Sequence, residues 1–221
     1  MQQIISEIKS ISPLLVRGAC MTLALWISAS AISLSVGMLS GILRSKKMYT
    51  PFISQLLDII TFIGRGIPFY VQLLIAYFVI PAILKINIPT FILAATSLGI
   101  CSASYASQTV KGAINALPSG QWQAAQALGF SRWQTIRFII LPQAMTALLP
   151  ALTSELDQTL KSTSIFASIG VLELTRASMN IISRTMNPVP VYLSIAVIYL
   201  LMSSILNIIG AYLEKQRRIP L

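Results

Sequence analysis

Long apolar runs alternate with short polar ones along the chain, and each run is long enough to cross a bilayer as a helix. The first covers roughly residues 20–43 and ends in GILRSKK. Its Gly37 and Gly41 form a GxxxG pair, which permits close helix approach but is also common in spans generally. The second starts at Thr50-Pro51 and is apolar over 51–63 apart from Asp58. Gly64-Arg65-Gly66-Ile67-Pro68 then interrupts it, and it resumes over 69–84. This predicts a helix, a break at the glycines and a second piece bent near its end by Pro81. The third run, roughly 89–111, is rich in small and hydroxyl residues such as Ala94, Gly99, Ser102, Ser104 and Ser107. Such a helix packs closely and suits a polar path. The fourth starts near Gln143 and carries Glu155, Asp157 and Lys161; the last is roughly 190–212. Between them, 162–189 is less apolar and reads as a connection with a short helix.

The polar interval 118–142, PSGQWQAAQALGFSRWQTIRFIILP, has its own helical signals. Ser119 suits an N-cap, and Gly129 stands where a left-handed residue closes a helix. Ser131 and Gln134 have capping-box spacing, and Phe130, Trp133, Ile136 and Ile140 recur at helical period. The expectation is a capped helical hairpin with Trp122 and Trp133 exposed.

Composition sharpens the membrane reading. Of 221 residues, 55% are hydrophobic and 10% charged, with a mean hydropathy of +0.78. A soluble domain is usually about one quarter charged. The chain is therefore expected to be an all-α integral membrane protein with about five transmembrane helices, forming a single domain over 1–221 with its membrane core at about 14–214. The net charge of +10 does not point to nucleic acid, because the cations gather at span ends. They include Arg44, Lys46 and Lys47, then Lys111, Arg132 and Arg137, then Lys215, Arg217 and Arg218. By the positive-inside rule this gives an N-out/C-in topology with the hairpin in the cytoplasm. Glu7 and Lys9, with no small-residue cleavage site, argue against a cleavable signal peptide.

The absence of histidine excludes His-based triads and His-ligated metal sites. Cys20 and Cys101 stand apart, so neither a disulfide framework nor a metal site is expected. No GxxxxGK[ST] or GxSxG occurs, so neither a P-loop nor a nucleophile elbow is expected, and no catalytic residue or cofactor is assigned. Asp157 and Lys161 are four apart and can pair on one helix face, either at membrane depth or near the outer interface.

The hairpin's residues also resemble a known motif. GQWQAAQALGFSRWQTIRFIILPQA is similar to the cytoplasmic EAA loop of bacterial ABC-importer permeases, through Ala124, Ala125, Gly129, Leu141 and Pro142. Three more stretches resemble the polar-amino-acid branch of that family. They are RGIPFYVQL at 65–73, SYASQTVKGAI at 104–114 and LTSELDQTLKSTSI at 152–165. The four occur in the family's order, and the resemblance covers about 14–214.

This resemblance implies an ABC type I importer permease fold in the bacterial inner membrane. It implies that 118–142 docks on a separate ATP-binding subunit, which binds the ATP. It further implies a soluble amino-acid-binding protein at the outer face and a second permease subunit, identical or paralogous. Gln123, Ala124, Ala125, Gly129, Leu141 and Pro142 are then the coupling candidates. Arg65, Gln72, Gln108, Glu155, Asp157 and Lys161 are candidates for the substrate pathway, with structural pairing between spans as the alternative for each. The chain departs from the family at Gln123 and Gln108, where carboxylates are usual, and at Lys111, Ser162 and Asp157. An importer of another small solute and a non-transporting membrane scaffold are the competing functions.

Overall fold

The computed structural model describes the backbone of residues 2–46 and 48–217, with side chains from residue 12. Lys47, Arg218 and the side chains of Glu7, Lys9 and Arg217, all weighed above for topology or targeting, lie outside the described residues. Among the described residues, all regular structure is helical. The helices are α1 (Gln2–Leu43), α2 (Pro51–Gly66), α3 (Phe69–Leu84), α4 (Thr90–Ala116), α5 (Ser119–Ala127), α6 (Arg132–Ile169), α7 (Leu174–Thr185) and α8 (Pro188–Arg217). Four of them, α1, α4, α6 and α8, are long and apolar enough to cross a bilayer singly. The pair α2 and α3 makes a fifth, broken span, bent by 103°.

The position of that break differs from the expectation. Gly64 and Gly66 lie inside α2, and the chain turns at Ile67-Pro68 instead. The ring of Pro68 disfavours helical backbone at the residue before it, and Ile67 is accordingly extended (φ −95°, ψ 130°). The glycines serve packing: a Cβ on Gly64 would collide with the Ser104 hydroxyl of α4.

Pro81 sits inside a helical run that continues from Phe69 to Leu84. A π turn, Ile75–Val79, precedes it, with the Ile80 N–H bonding to Ile75 O. The same arrangement recurs in α6, where the π turn Ile136–Ile140 precedes Leu141-Pro142 and the Leu141 N–H bonds to Ile136 O. Proline lacks an N–H, and its ring crowds the carbonyl four residues back; a wider turn relieves both. As a result α6 runs without interruption from the hairpin into the span. The helix that carries the fourth span thus starts at Arg132, ahead of Gln143.

α4 is the central element, packed against α1, α2 and α6. The α1–α4 contact is set by small residues. A Cβ on Gly37 would lie 2.6 Å from Ala106 Cβ, and one on Gly41 2.6 Å from Val110 Cβ. The GxxxG pair is thus a packing surface, with Ala103, Ala106 and Ser107 opposite it. Trp26 Nε1 donates to Leu156 O at 2.9 Å and ties α1 to α6. Around this axis Leu25, Leu98 and Phe166 form one buried cluster, and Ile114, Ile140 and Leu148 another. Many large side chains of α2 and α8, such as Phe52, Phe62, Leu193 and Ile208, face outward, as lipid-facing surfaces do.

Candidate functional site

The hairpin is closed by two local devices placed back to back. At the end of α5, the Gly129 N–H donates to Gln126 O at 3.0 Å and the Phe130 N–H donates to Ala125 O at 3.1 Å. That is a Schellman closure, and it requires the left-handed backbone of Gly129 (φ +81°). Two residues later the Ser131 N–H donates to Gln134 Oε1 at 2.8 Å, and the Gln134 N–H donates to Ser131 Oγ at 3.3 Å. This is the expected capping box. Ser119 does not cap: Pro118 holds the N-cap position, and Ser119 is the first helical residue. Proline's fixed φ suits the chain reversal there, and Pro118 O accepts from the Gln121 N–H at 3.2 Å.

Trp122 also differs from the expectation of exposure. It is 4% exposed and packs among Ile114, Ile136 and Ile140, so it anchors the hairpin to the ends of α4 and α6. Trp133 is half exposed. Of the coupling candidates, Gln123, Ala124, Gly129 and Pro142 are exposed, Leu141 is half-buried, and Ala125 is buried beneath them. Leu128 was not singled out from sequence, yet it is 75% exposed at the tip, next to Gly129. Its signal was available: an apolar residue immediately before a closing glycine has no helix face left to bury it.

A cation-rich cluster lies at the same end. Asp58 of α2 accepts from Arg44 Nε at 2.7 Å and from Lys111 Nζ at 2.9 Å. Arg44 also donates to Ser107 Oγ at 2.8 Å and to Gln108 Oε1 at 3.2 Å. Arg44 is only 4% exposed, so it is a buried tie between α1, α2 and α4 and not merely a surface charge marking the inner face. The Lys46 N–H donates to Asn115 Oδ1 at 3.0 Å, fixing the α1–α2 turn beside the hairpin's root.

Gln72 latches the corner of the broken span. Its Nε2 donates to Gly64 O at 2.8 Å and to Ile67 O at 2.7 Å. Close by, Phe69, Cys101, Ser102, Tyr105, Glu155 and Gln158 line a cavity of ≈ 130 Å³ between α3, α4 and α6. The Thr159 hydroxyl donates to Ser102 Oγ at 3.1 Å in its wall. Arg65 stacks on Tyr105, with its guanidinium 5.6 Å from the ring centre, and its charge acts on Glu155.

The six pathway candidates therefore do not form one group. Glu155 lines the cavity and Arg65 stacks on its Tyr105, while Gln72 holds the α2–α3 corner. Gln108 belongs to the inner cluster. Asp157 and Lys161 pair at 2.6 Å, and Asp157 also accepts from Ser203 of α8. Two residues along a helix is more than half a turn, so Glu155 and Asp157 face different neighbours.

A bundle of one broken and four continuous helical spans, with a polar cavity inside and a rigid hairpin at one end, is built as a transport permease. The family model described as "Binding-protein-dependent transport system inner membrane component" matches residues 33–219. The chain is 35% identical over 211 residues to the glutamine transport system permease protein GlnP of Escherichia coli (strain K12), covering 94% of each. It is 30% identical over 204 residues to the arginine transport system permease protein ArtQ of Bacillus subtilis (strain 168), covering 92% of each. Among solved structures, an amino acid ABC transporter with histidines superposes with a TM-score of 0.86 at 31% identity, covering 96% of this chain and 98% of that one. The chain belongs to the family of binding-protein-dependent transport system inner membrane components.

Proposed function

We propose that this chain is the membrane-spanning permease subunit of an ATP-driven importer of polar amino acids. The observation that carries the proposal is the hairpin 118–142, which is capped on both sides of Gly129 and continuous with the span α6. Such a piece transmits force as a rigid body. A separate ATP-binding subunit hydrolyses the ATP, and this chain carries no ATP site. Gln123, Ala124, Leu128 and Gly129 form the docking face, Ala125 and Leu141 hold it on the bundle, and Pro142 follows the π turn that joins it to the span. ATP binding shifts the transporter between inward- and outward-open states by favouring one of them.

The named relatives support an amino-acid cargo, and so does the chemistry of the cavity. A zwitterionic solute needs an anion for its ammonium and a cation for its carboxylate. Glu155 lines the cavity, and Arg65, stacked on the lining Tyr105, brings the cation to its edge. A soluble amino-acid-binding protein delivers the solute at the outer face, and a second permease subunit, a copy or a paralogue, completes the path.

The test is reconstitution in liposomes with the partner ATPase and binding protein. Glutamine, arginine or histidine should raise ATP turnover and accumulate inside. If no amino acid raises turnover, the cargo assignment fails. If Gly129→Trp leaves uptake intact in a correctly inserted protein, the coupling role fails.

A further inference from the structure

The outer end of the bundle carries cations that the inward bias of positive charge does not account for. The helical rise from Arg17 to Leu43 along α1 is about 39 Å. A bilayer with its headgroups is about 40–45 Å thick. With the basic α1–α2 turn at the inner interface, Arg17 therefore stands at the level of the outer headgroups. Arg184 of α7 reaches the same place. Together with Asn180 the two arginines line a pocket of ≈ 280 Å³ between α1 and α7. Gly18 lies at the contact between these helices, where a Cβ would meet Leu174 Cα at 2.9 Å. Leu14 and Leu172 are also among the lining residues, and both are exposed.

Neither guanidinium has an ion-pair or hydrogen-bond partner among the described residues. The described carboxylates of this half of the molecule are committed elsewhere. Glu173 accepts from the Thr175 and Arg176 N–H groups and from Tyr199, Asp157 holds Lys161, and Glu155 faces the central cavity. Two unpaired guanidiniums beside exposed aliphatic side chains, at headgroup depth, match a ligand with an anionic oxygen cluster joined to a hydrocarbon chain. Guanidinium forks suit phosphate oxygens.

We propose that this pocket binds the phosphate-bearing headgroup of an outer-leaflet phospholipid. Arg17, Arg184 and the Asn180 amide contact the phosphate, and Leu14 and Leu172 lie along the first acyl carbons. An acidic side chain of a soluble partner would satisfy the charge but would leave the aliphatic rim uncovered.

Native mass spectrometry of the detergent-solubilised full chain, titrated with dioleoyl phosphatidylglycerol or with dioleoylglycerol, tests the proposal. The wild type should retain the phospholipid through detergent exchange and release the phosphate-free diacylglycerol. The R17Q/R184Q double variant should retain about tenfold less phospholipid, the scale of losing charge-assisted contacts. Lys46→Gln and Arg132→Gln, at the inner end, should leave retention unchanged. Equal retention of the two lipids by the wild type overturns the proposal even if the double variant fails to insert. So does unchanged retention in the double variant. Displacement of the lipid by excess inorganic phosphate would make the site one for free anions. A double variant that loses only its association with the soluble binding protein would make it a protein contact.

Discussion

Gln72 bonds to the carbonyls of Gly64 and Ile67 across the corner where α2 becomes α3, so one side chain closes the only sharp bend among the described spans. Both carbonyls lie where helical hydrogen bonding stops at Ile67-Pro68. Gln72→Leu has nearly the same volume but no donor. The Ile67 carbonyl left unsatisfied costs about 1–3 kcal/mol, while Gly64 O keeps only the weak Cys101 thiol donor. The expected outcome is a lower thermal midpoint in detergent together with reduced uptake, while association with the ATP-binding subunit is retained. An unaltered midpoint would remove Gln72 as the latch.

Asp58 offers a second test, because Arg44 is buried and depends on it. Breaking a fully buried pair costs about 3–5 kcal/mol; Asp58 is partly exposed, so Asp58→Asn should cost about 2–3 kcal/mol. The double variant Arg44→Met/Asp58→Asn should recover much of that loss, since the buried guanidinium is gone and only the more exposed Lys111 is left without its carboxylate. Thermal unfolding of the wild type, Asp58→Asn, Arg44→Met and the double variant completes the cycle. A double variant as unstable as the sum of the singles would show that the pair is not coupled.

At Gly129 the backbone is left-handed, yet the space around it is open. Gly129→Ala should therefore cost about 1 kcal/mol through backbone strain alone, and Gly129→Asn less. Gly129→Trp adds bulk on the proposed docking face. It should abolish uptake and ATPase association with insertion preserved, as read by membrane fractionation and co-purification.

Glu173, at the mouth of α7, ties stability to pH. Burial pushes its carboxyl above the ordinary value of 4.5, and the N–H groups of Thr175 and Arg176 only partly offset this. The folded protein therefore holds this proton to higher pH than the unfolded chain does. The resulting stabilisation is complete below about 4.5 and is lost as pH rises through the raised value. Glu173→Gln cannot titrate. The stability advantage of the wild type over the variant should shrink between acidic and neutral pH in a series of unfolding midpoints. A constant difference across the series would count against it.

What could be read from the sequence was mostly local. Gly129, Ser131 and Gln134 act within a few residues, and their roles follow from spacing alone. Gly37 and Gly41 announced a close contact, although not that α4 would supply it. The positions that misled depend on partners far along the chain. Trp122 looked exposed because its own helix is polar, and its burial comes from Ile114, Ile136 and Ile140. Asp58 looked like an interruption in an apolar run until Arg44 and Lys111 met it. Ser119 lost its cap to Pro118, whose backbone already turned the chain. Glu155 and Asp157 were grouped by type, and helical phase separates them.

The π turn at Ile136–Ile140 stands between the hairpin and the rest of α6. A π turn absorbs one more residue than the α-helical turn it replaces and leaves the helix on either side nearly in phase. One residue added in the plain α-helix that follows it, between Gln143 and Leu149, has no such sink and would rotate the hairpin about the α6 axis by about 100°. Trp122 would then swing away from Ile114 of α4. The orientation of the docking face is thus encoded in a residue count, in the stretch of α6 beyond the π turn.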